Sequence, residues 1–93
     1  MGMPHVSPPT VSRKFKAGRK AEMRSNLRAA NSKAVSATNW THSLKGAFLA
    51  AYRCDIGFAE EIQEQFRITS KMIGEWARNP AITAIRDSYF EPA

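Results

Sequence analysis

The chain has 93 residues and a formal net charge of +6, enough material for one compact unit. Its lone cysteine, Cys54, excludes an internal disulfide. His5 and His42 have no second ligand at metal-site spacing, so neither a metal nor a cofactor is expected. No apolar run approaches the ~20 residues that a bilayer crossing takes, so no membrane partner is expected, and no nucleophile stands at recognisable spacing from a base and an orienting acid, so no catalytic residue is assigned.

Charge is placed unevenly along the chain. Residues 1–35 hold eight basic side chains (Arg13, Lys14, Lys16, Arg19, Lys20, Arg24, Arg28 and Lys33) and one acid, Glu22, a net of +7. From residue 36 onward six basic residues face seven acids (Asp55, Glu60, Glu61, Glu64, Glu75, Asp87 and Glu91), a net of −1. A leading block of this kind reads as a solvated tail or as a contact for a polyanion, because exposed Lys and Arg displace counterions from phosphates. The first ten residues lack the apolar stretch of a secretory signal, and their three prolines are at odds with an amphipathic organelle-targeting helix.

Pro4, Pro8 and Pro9 remove donors and push their neighbours into extended conformations, so residues 1–12 read as an extended segment. After it Met23, Leu27 and Ala30 fall at i, i+4 and i+7, a narrow apolar stripe that predicts a short helix forming only against a partner. Residues 1–36 are therefore read as a basic, largely extended or partner-ordered arm, and residues 37–93 as the folded domain.

Four helical segments follow. Leu44, Ala47, Phe48, Ala51 and Tyr52 line the first, with Asn39, Thr41 or Ser43 as its N-cap and an end expected near Gly57 in a left-handed conformation. Phe58, Ile62 and Phe66 line the second, whose first turn carries Glu60 and Glu61. Met72, Ile73, Trp76 and Ala77 line the third, with Thr69 as its cap and Ile68 anchoring the turn before it. Asn79 caps the fourth, with Pro80 at the first helical position and Ile82, Ile85 and Tyr89 on its inner face. Tyr52, Tyr89 and Phe90 are read as core or subunit contacts, and the last helix as a surface through which copies could pair.

The second and third segments are joined by only residues 67–69, a length suited to two helices crossing steeply, as in a helix-turn-helix. Gln63 and Arg67 occupy positions where that unit usually places a small residue and a glycine. An Arg at positive φ costs on the order of 1 kcal/mol, so a wider turn is expected.

From about Leu44 to Phe90, roughly half the chain, the sequence, which includes FLAAYRCDIGFAEEIQEQFRITSKMIGEWARNPAITAIRDSYF, resembles the homeodomain-like helix-turn-helix module at the N-terminus of phage terminase small subunits and related phage regulators. The resemblance rests on Phe48, Leu49 and Tyr52, then Ile68, Thr69, Ile73 and Trp76, then Asn79 and Pro80. It implies an all-α fold, a small helix-turn-helix bundle of three to four helices preceded by the basic arm, and DNA as the partner in genome packaging or transcriptional control. It also implies a location in the host cytoplasm or the virion.

Carried over by position, the outward face of the third helix offers Thr69, Ser70, Lys71, Gly74, Glu75 and Arg78 to a major groove. Lys71 and Arg78 suit phosphate or guanine, and Glu75 suits only a cytosine amino group. The arm would add Arg13, Lys14, Lys16, Arg19, Lys20, Arg24 and Arg28, on phosphates or in the minor groove. The alternative function is a structural or interaction protein whose arm threads into a virion, a ribonucleoprotein or an inhibited host enzyme. The acids on the second helix and Glu75 favour it, since both oppose close approach to phosphate.

Overall fold

The computed structural model describes residues 11–31 and 36–93. The fold is mostly helical, with a two-stranded antiparallel sheet. In chain order it comprises β1 (Val11–Phe15), α1 (Arg19–Asn31), a 3-10 turn (Ala37–Asn39), α2 (His42–Cys54), α3 (Ile56–Phe66), α4 (Ser70–Ala77), α5 (Pro80–Ser88) and β2 (Phe90–Pro92). Among the described residues four α-helices stand in residues 37–93, as expected, and α1 is the short helix that Met23, Leu27 and Ala30 predict; the sheet was not foreseen.

α2 is the central element and packs against α1, α3, α4 and α5. Its small residues allow this. Gly46, Ala47, Ala50 and Ala51 are all buried, and a Cβ on Gly46 would lie 2.5 Å from Cγ2 of Ile85, so α5 approaches as closely as the backbone permits. Phe48 fills the other side, where its ring meets Trp76 edge-on at 5.8 Å, and Trp76 in turn stacks on Trp40 at 5.8 Å. Trp40 also meets Phe66 edge-on at 4.8 Å.

The leading segment departs most from expectation. Where described, it is not an extended arm. α1 buries Met23 and Leu27 completely and Ala30 almost so, in the same core cluster as α2, so the partner that orders this stripe is the chain's own body. The expected boundary between residues 36 and 37 does not separate two packing units. β1 pairs with β2, Val11 opposite Pro92 and Phe15 opposite Phe90, with the register broken between the two pairs. The Phe15 and Phe90 rings lie 4.7 Å apart, and Lys16 N–H donates to the Tyr89 carbonyl at 2.8 Å. The extended reading of residues 1–10, and Lys33, lie outside the described residues.

Two further expectations are corrected. The break between α2 and α3 is made by Asp55 (φ −148°, ψ 55°), whose N–H donates to the Ala51 carbonyl and whose carbonyl accepts from Ala59 N–H; Gly57 sits inside α3. Tyr52 is 44% exposed, its ring 6.0 Å from Phe48, so of the two roles expected for it, core or subunit contact, the core is the one overturned. Tyr89 and Phe90, by contrast, are buried. On α5, Ile82 is buried and Ile85 meets Gly46, so its apolar face is engaged by α2.

Candidate nucleic-acid interface

The connection from α3 to α4 is tight, not wide. Arg67 takes the left-handed conformation (φ 54°, ψ 46°), as the only non-glycine residue at positive φ among the described residues. Its N–H donates to the Glu64 carbonyl at 3.3 Å and Ile68 N–H to the Gln63 carbonyl at 2.9 Å. This is the paired arrangement that closes helices at a left-handed residue. Buried Ile62 and Ile68 lie in the same core cluster. The Gln63 side chain also takes part, donating from Nε2 to the Ile68 carbonyl at 3.1 Å. A residue that departs from the usual small one thus laces the corner it was expected to crowd.

Two residues later Thr69 Oγ1 accepts from Met72 N–H at 3.2 Å and starts α4. Trp76 is buried, with Met72 and Ile73 half-buried beside it. These three fix the helix's rotation, so Thr69, Ser70, Lys71, Glu75 and Arg78 are all exposed. Gly74 is half-buried, and Nη1 of Arg78 lies 3.4 Å from where its Cβ would be. Asn79 then turns the chain, its Oδ1 accepting from Ala81 N–H at 3.0 Å, with Pro80 opening α5.

The leading cations divide into two groups. Arg19 and Arg24 serve the fold. Arg19 pairs with Glu22, donates to Ser88 Oγ at 3.2 Å and lies 4.0 Å over the Tyr89 ring. Arg24 forks onto Asp55, with Nε to Oδ2 at 2.7 Å and Nη2 to Oδ1 at 2.9 Å. That hydrogen bond holds the Asp55 carboxyl below the ordinary carboxylate range against the opposing effect of burial, and raises the Arg24 guanidinium.

The other five are exposed: Arg13, Lys14, Lys16, Lys20 and Arg28. Lys14 reaches Glu91 at 3.8 Å, and Arg28 lies 5.3 Å over Phe58. Among the described residues Arg13, Lys16, Lys20 and Arg28 form no ion pair, and neither do Arg67, Lys71 and Arg78.

Sequence reasoning assigned Arg67 no role at the interface, although its place in the turn puts an unpaired cation beside the α4 face. It also did not foresee β1, whose register is broken between Val11 and Phe15 and whose Arg13 and Lys14 are exposed. Trp40 was likewise not singled out, although an apolar residue just before a Thr cap marks the usual entry of a helix. No helix among the described residues is long and apolar enough to cross a membrane. No protein-family model, curated protein or solved structure matches the chain.

Proposed function

We propose that this chain is a small DNA-binding protein in which α3, the turn at Arg67 and α4 act as a helix-turn-helix. α4 lies in the major groove and the exposed cations of residues 13–28 rest on phosphates. One observation carries the reading: a left-handed turn and a buried Trp76 fix α4 so that its whole polar face is exposed. The three cations of turn and helix also stay unpaired among the described residues, although exposed acids stand nearby in the sequence. Unpaired, pre-positioned cations displace counterions from a phosphate backbone with little ordering cost. Lys71 and Arg78 supply phosphate or guanine contacts, Thr69 and Ser70 supply hydroxyls, and Glu75 selects against bases that offer no amino group. Genome packaging or transcriptional control, the tasks implied by the resemblance to phage modules, are settings in which such a protein would serve.

Because α1 is part of the core, its cations act from a rigid surface and not from a flexible arm threaded into a groove. Binding is therefore tested by substitution, not by deleting the segment. In gel shifts at two salt concentrations, Lys71→Ala with Arg78→Ala should lower affinity and blunt discrimination between duplexes. Arg13→Gln, Lys16→Gln and Lys20→Gln together should weaken binding to all duplexes alike and reduce the salt slope by about 0.9 for each phosphate that is no longer neutralised. Undiminished binding by the α4 variant would reject the reading.

A second reading, a structural protein seated on a larger assembly, is favoured by the exposed Tyr52 and Ile56 on α2 and α3 and by Glu60, Glu61 and Glu64. It expects neither set of substitutions to alter duplex preference.

A further inference from the structure

The exposed cations without an acidic partner among the described residues fall into two sets on different elements; half-buried Lys45 on α2, which lies 5.7 Å over the Trp76 ring, belongs to neither. Arg13, Lys16, Lys20 and Arg28 belong to β1, the turn after it and α1; Arg67, Lys71 and Arg78 belong to the α3–α4 corner and α4. α1 packs on α2, whereas α4 packs on α2 and α5. α3 links the two sets. At its start, Asp55 holds Arg24, and the guanidinium groups of Arg24 and Arg28 each lie 5.3 Å over Phe58. At its end, Arg67 turns directly into α4.

α3 is acidic along its exposed side. Glu60, Glu61 and Glu64 face solvent, and none forms an ion pair among the described residues. A phosphate backbone passing without interruption from the α1 set to the α4 set by way of α3 would cross those carboxylates, and like charges repel most where water is being excluded. Glu61 acts on Arg24, which Asp55 already engages, and Glu61 and Glu64 line one surface depression with Arg28; the cations of the two sets form no ion pair among the described residues. Each set can meet phosphate by itself, but the surface joining them repels it.

The α1 face has its own fit to a strand. Lys20, Arg24 and Arg28 recur every four residues, about 6 Å apart along a helix axis, a step comparable with the separation of neighbouring phosphates. Arg24 is engaged by Asp55 and fixes the helix, while exposed Lys20 and Arg28 flank it, Lys20 adding its charge to the field on Asp55 and neither forming an ion pair among the described residues.

We infer that these are two separate phosphate-binding surfaces, and that one molecule holds two duplex segments at once, α4 in the major groove of one and the β1–α1 face along the backbone of the other. The inference rests on the DNA-binding reading above for its α4 half.

A bridging assay with the full chain tests it. A biotinylated duplex is fixed on beads, a fluorescent duplex of unrelated sequence is added with the protein, and retained fluorescence is measured beside binding to each duplex alone. The unaltered chain should retain the second duplex. At protein concentrations where each still holds a single duplex through its intact surface, the Arg13→Gln/Lys16→Gln/Lys20→Gln variant and the Lys71→Gln/Arg78→Gln variant, the latter with lowered affinity and preference, should each lose about tenfold or more of that retention, with circular dichroism unchanged. No retention by the unaltered chain under conditions where it binds one duplex would overturn the inference. So would retention that survives in either variant, since bridging would then come from paired copies.

The two readings fail separately. An α4 variant that binds a single duplex as well as the unaltered chain rejects the helix-turn-helix assignment. An α4 variant that loses duplex preference, in a protein that never bridges, leaves that assignment standing and removes only the second surface.

Discussion

α1 and α4 are both short helices laid on α2, and they are held there by different means. α1 is strongly basic and docks through three apolar residues, Met23, Leu27 and Ala30, with a forked Arg24–Asp55 pair at the edge of the contact. α4 has eight residues and is held at its ends, by the left-handed Arg67 turn and Thr69 cap before it and by the Asn79–Pro80 restart after it, with Trp76 as its inward anchor. Burial alone can secure a helix of thirteen residues. One of eight residues is too short to persist by itself and depends on its termini. A cationic segment therefore need not be a loose tail: a few apolar side chains in register turn it into a rigid surface.

Leu27→Ala puts this difference between the two helices to its hardest test. Were residues 19–31 a solvated arm, the change would be silent. With Leu27 fully buried, a loss of about 2–5 kcal/mol is expected for a large-to-small core substitution. Denaturant unfolding of the full chain measures it, and an unchanged midpoint would return α1 to the status of a tail.

That substitution also marks how far the sequence could be read. The caps of α4 and α5 and most of their inner stripes were legible because each is local: Thr69 or Asn79-Pro80 beside an apolar repeat declares its role within a few residues, although Ala77, expected on the inner stripe of α4, is exposed. The face of α4 was legible for the same reason, since placing Trp76 inward puts Lys71, Glu75 and Arg78 outward. What could not be read depends on distant partners. Met23, Leu27 and Ala30 announce a helix but not what covers it. Nothing near Arg24 indicates that it reaches Asp55, 31 residues away. The sheet was hidden because β2 has only three residues and the broken register of β1 spoils strict alternation. The end of α2 was misplaced because Asp55 makes the corner without a left-handed glycine.

A smaller effect is expected at the start of α4. Thr69 Oγ1 accepts one of the helix's free amides, and Thr69→Ala should cost about 1 kcal/mol. Because α4 relies on its ends, the loss should be local, and hydrogen exchange should quicken at the amides of Met72 and Ile73 more than in α1. Uniform quickening would mean that α4 and α1 open as one unit.

Arg67→Gly tests the same corner with the opposite sign. The left-handed conformation costs a non-glycine residue roughly 1 kcal/mol, offset in part by the greater freedom glycine has when unfolded. A net gain of a few tenths of a kcal/mol up to about 1 is expected, since the exposed Arg67 side chain makes no ion pair among the described residues. Under the proposed function the more stable variant should bind DNA less tightly, because a cation beside the α4 face is lost. A variant that is both less stable and unchanged in binding would mean that Arg67 neither strains the corner nor touches DNA.

The mildest test concerns the pair that pins α1. The hydrogen bond from Arg24 lowers the Asp55 carboxyl below its ordinary value, with burial opposing. A group depressed in the folded state binds fewer protons there than in the unfolded chain, so its contribution to stability is complete above the unfolded value, about 3.9, and disappears as pH falls through the folded one. The pair is partly open to solvent, with 40% of the Arg24 and 10% of the Asp55 side chain exposed, so the effect should be modest and weakened by salt. Asp55→Asn should flatten the acid limb of the stability curve below about pH 4 while leaving its shape at neutral pH alone. An acid limb identical in the two proteins would mean that apolar burial alone holds the basic helix, and α1 would then differ from the end-held α4 still more sharply.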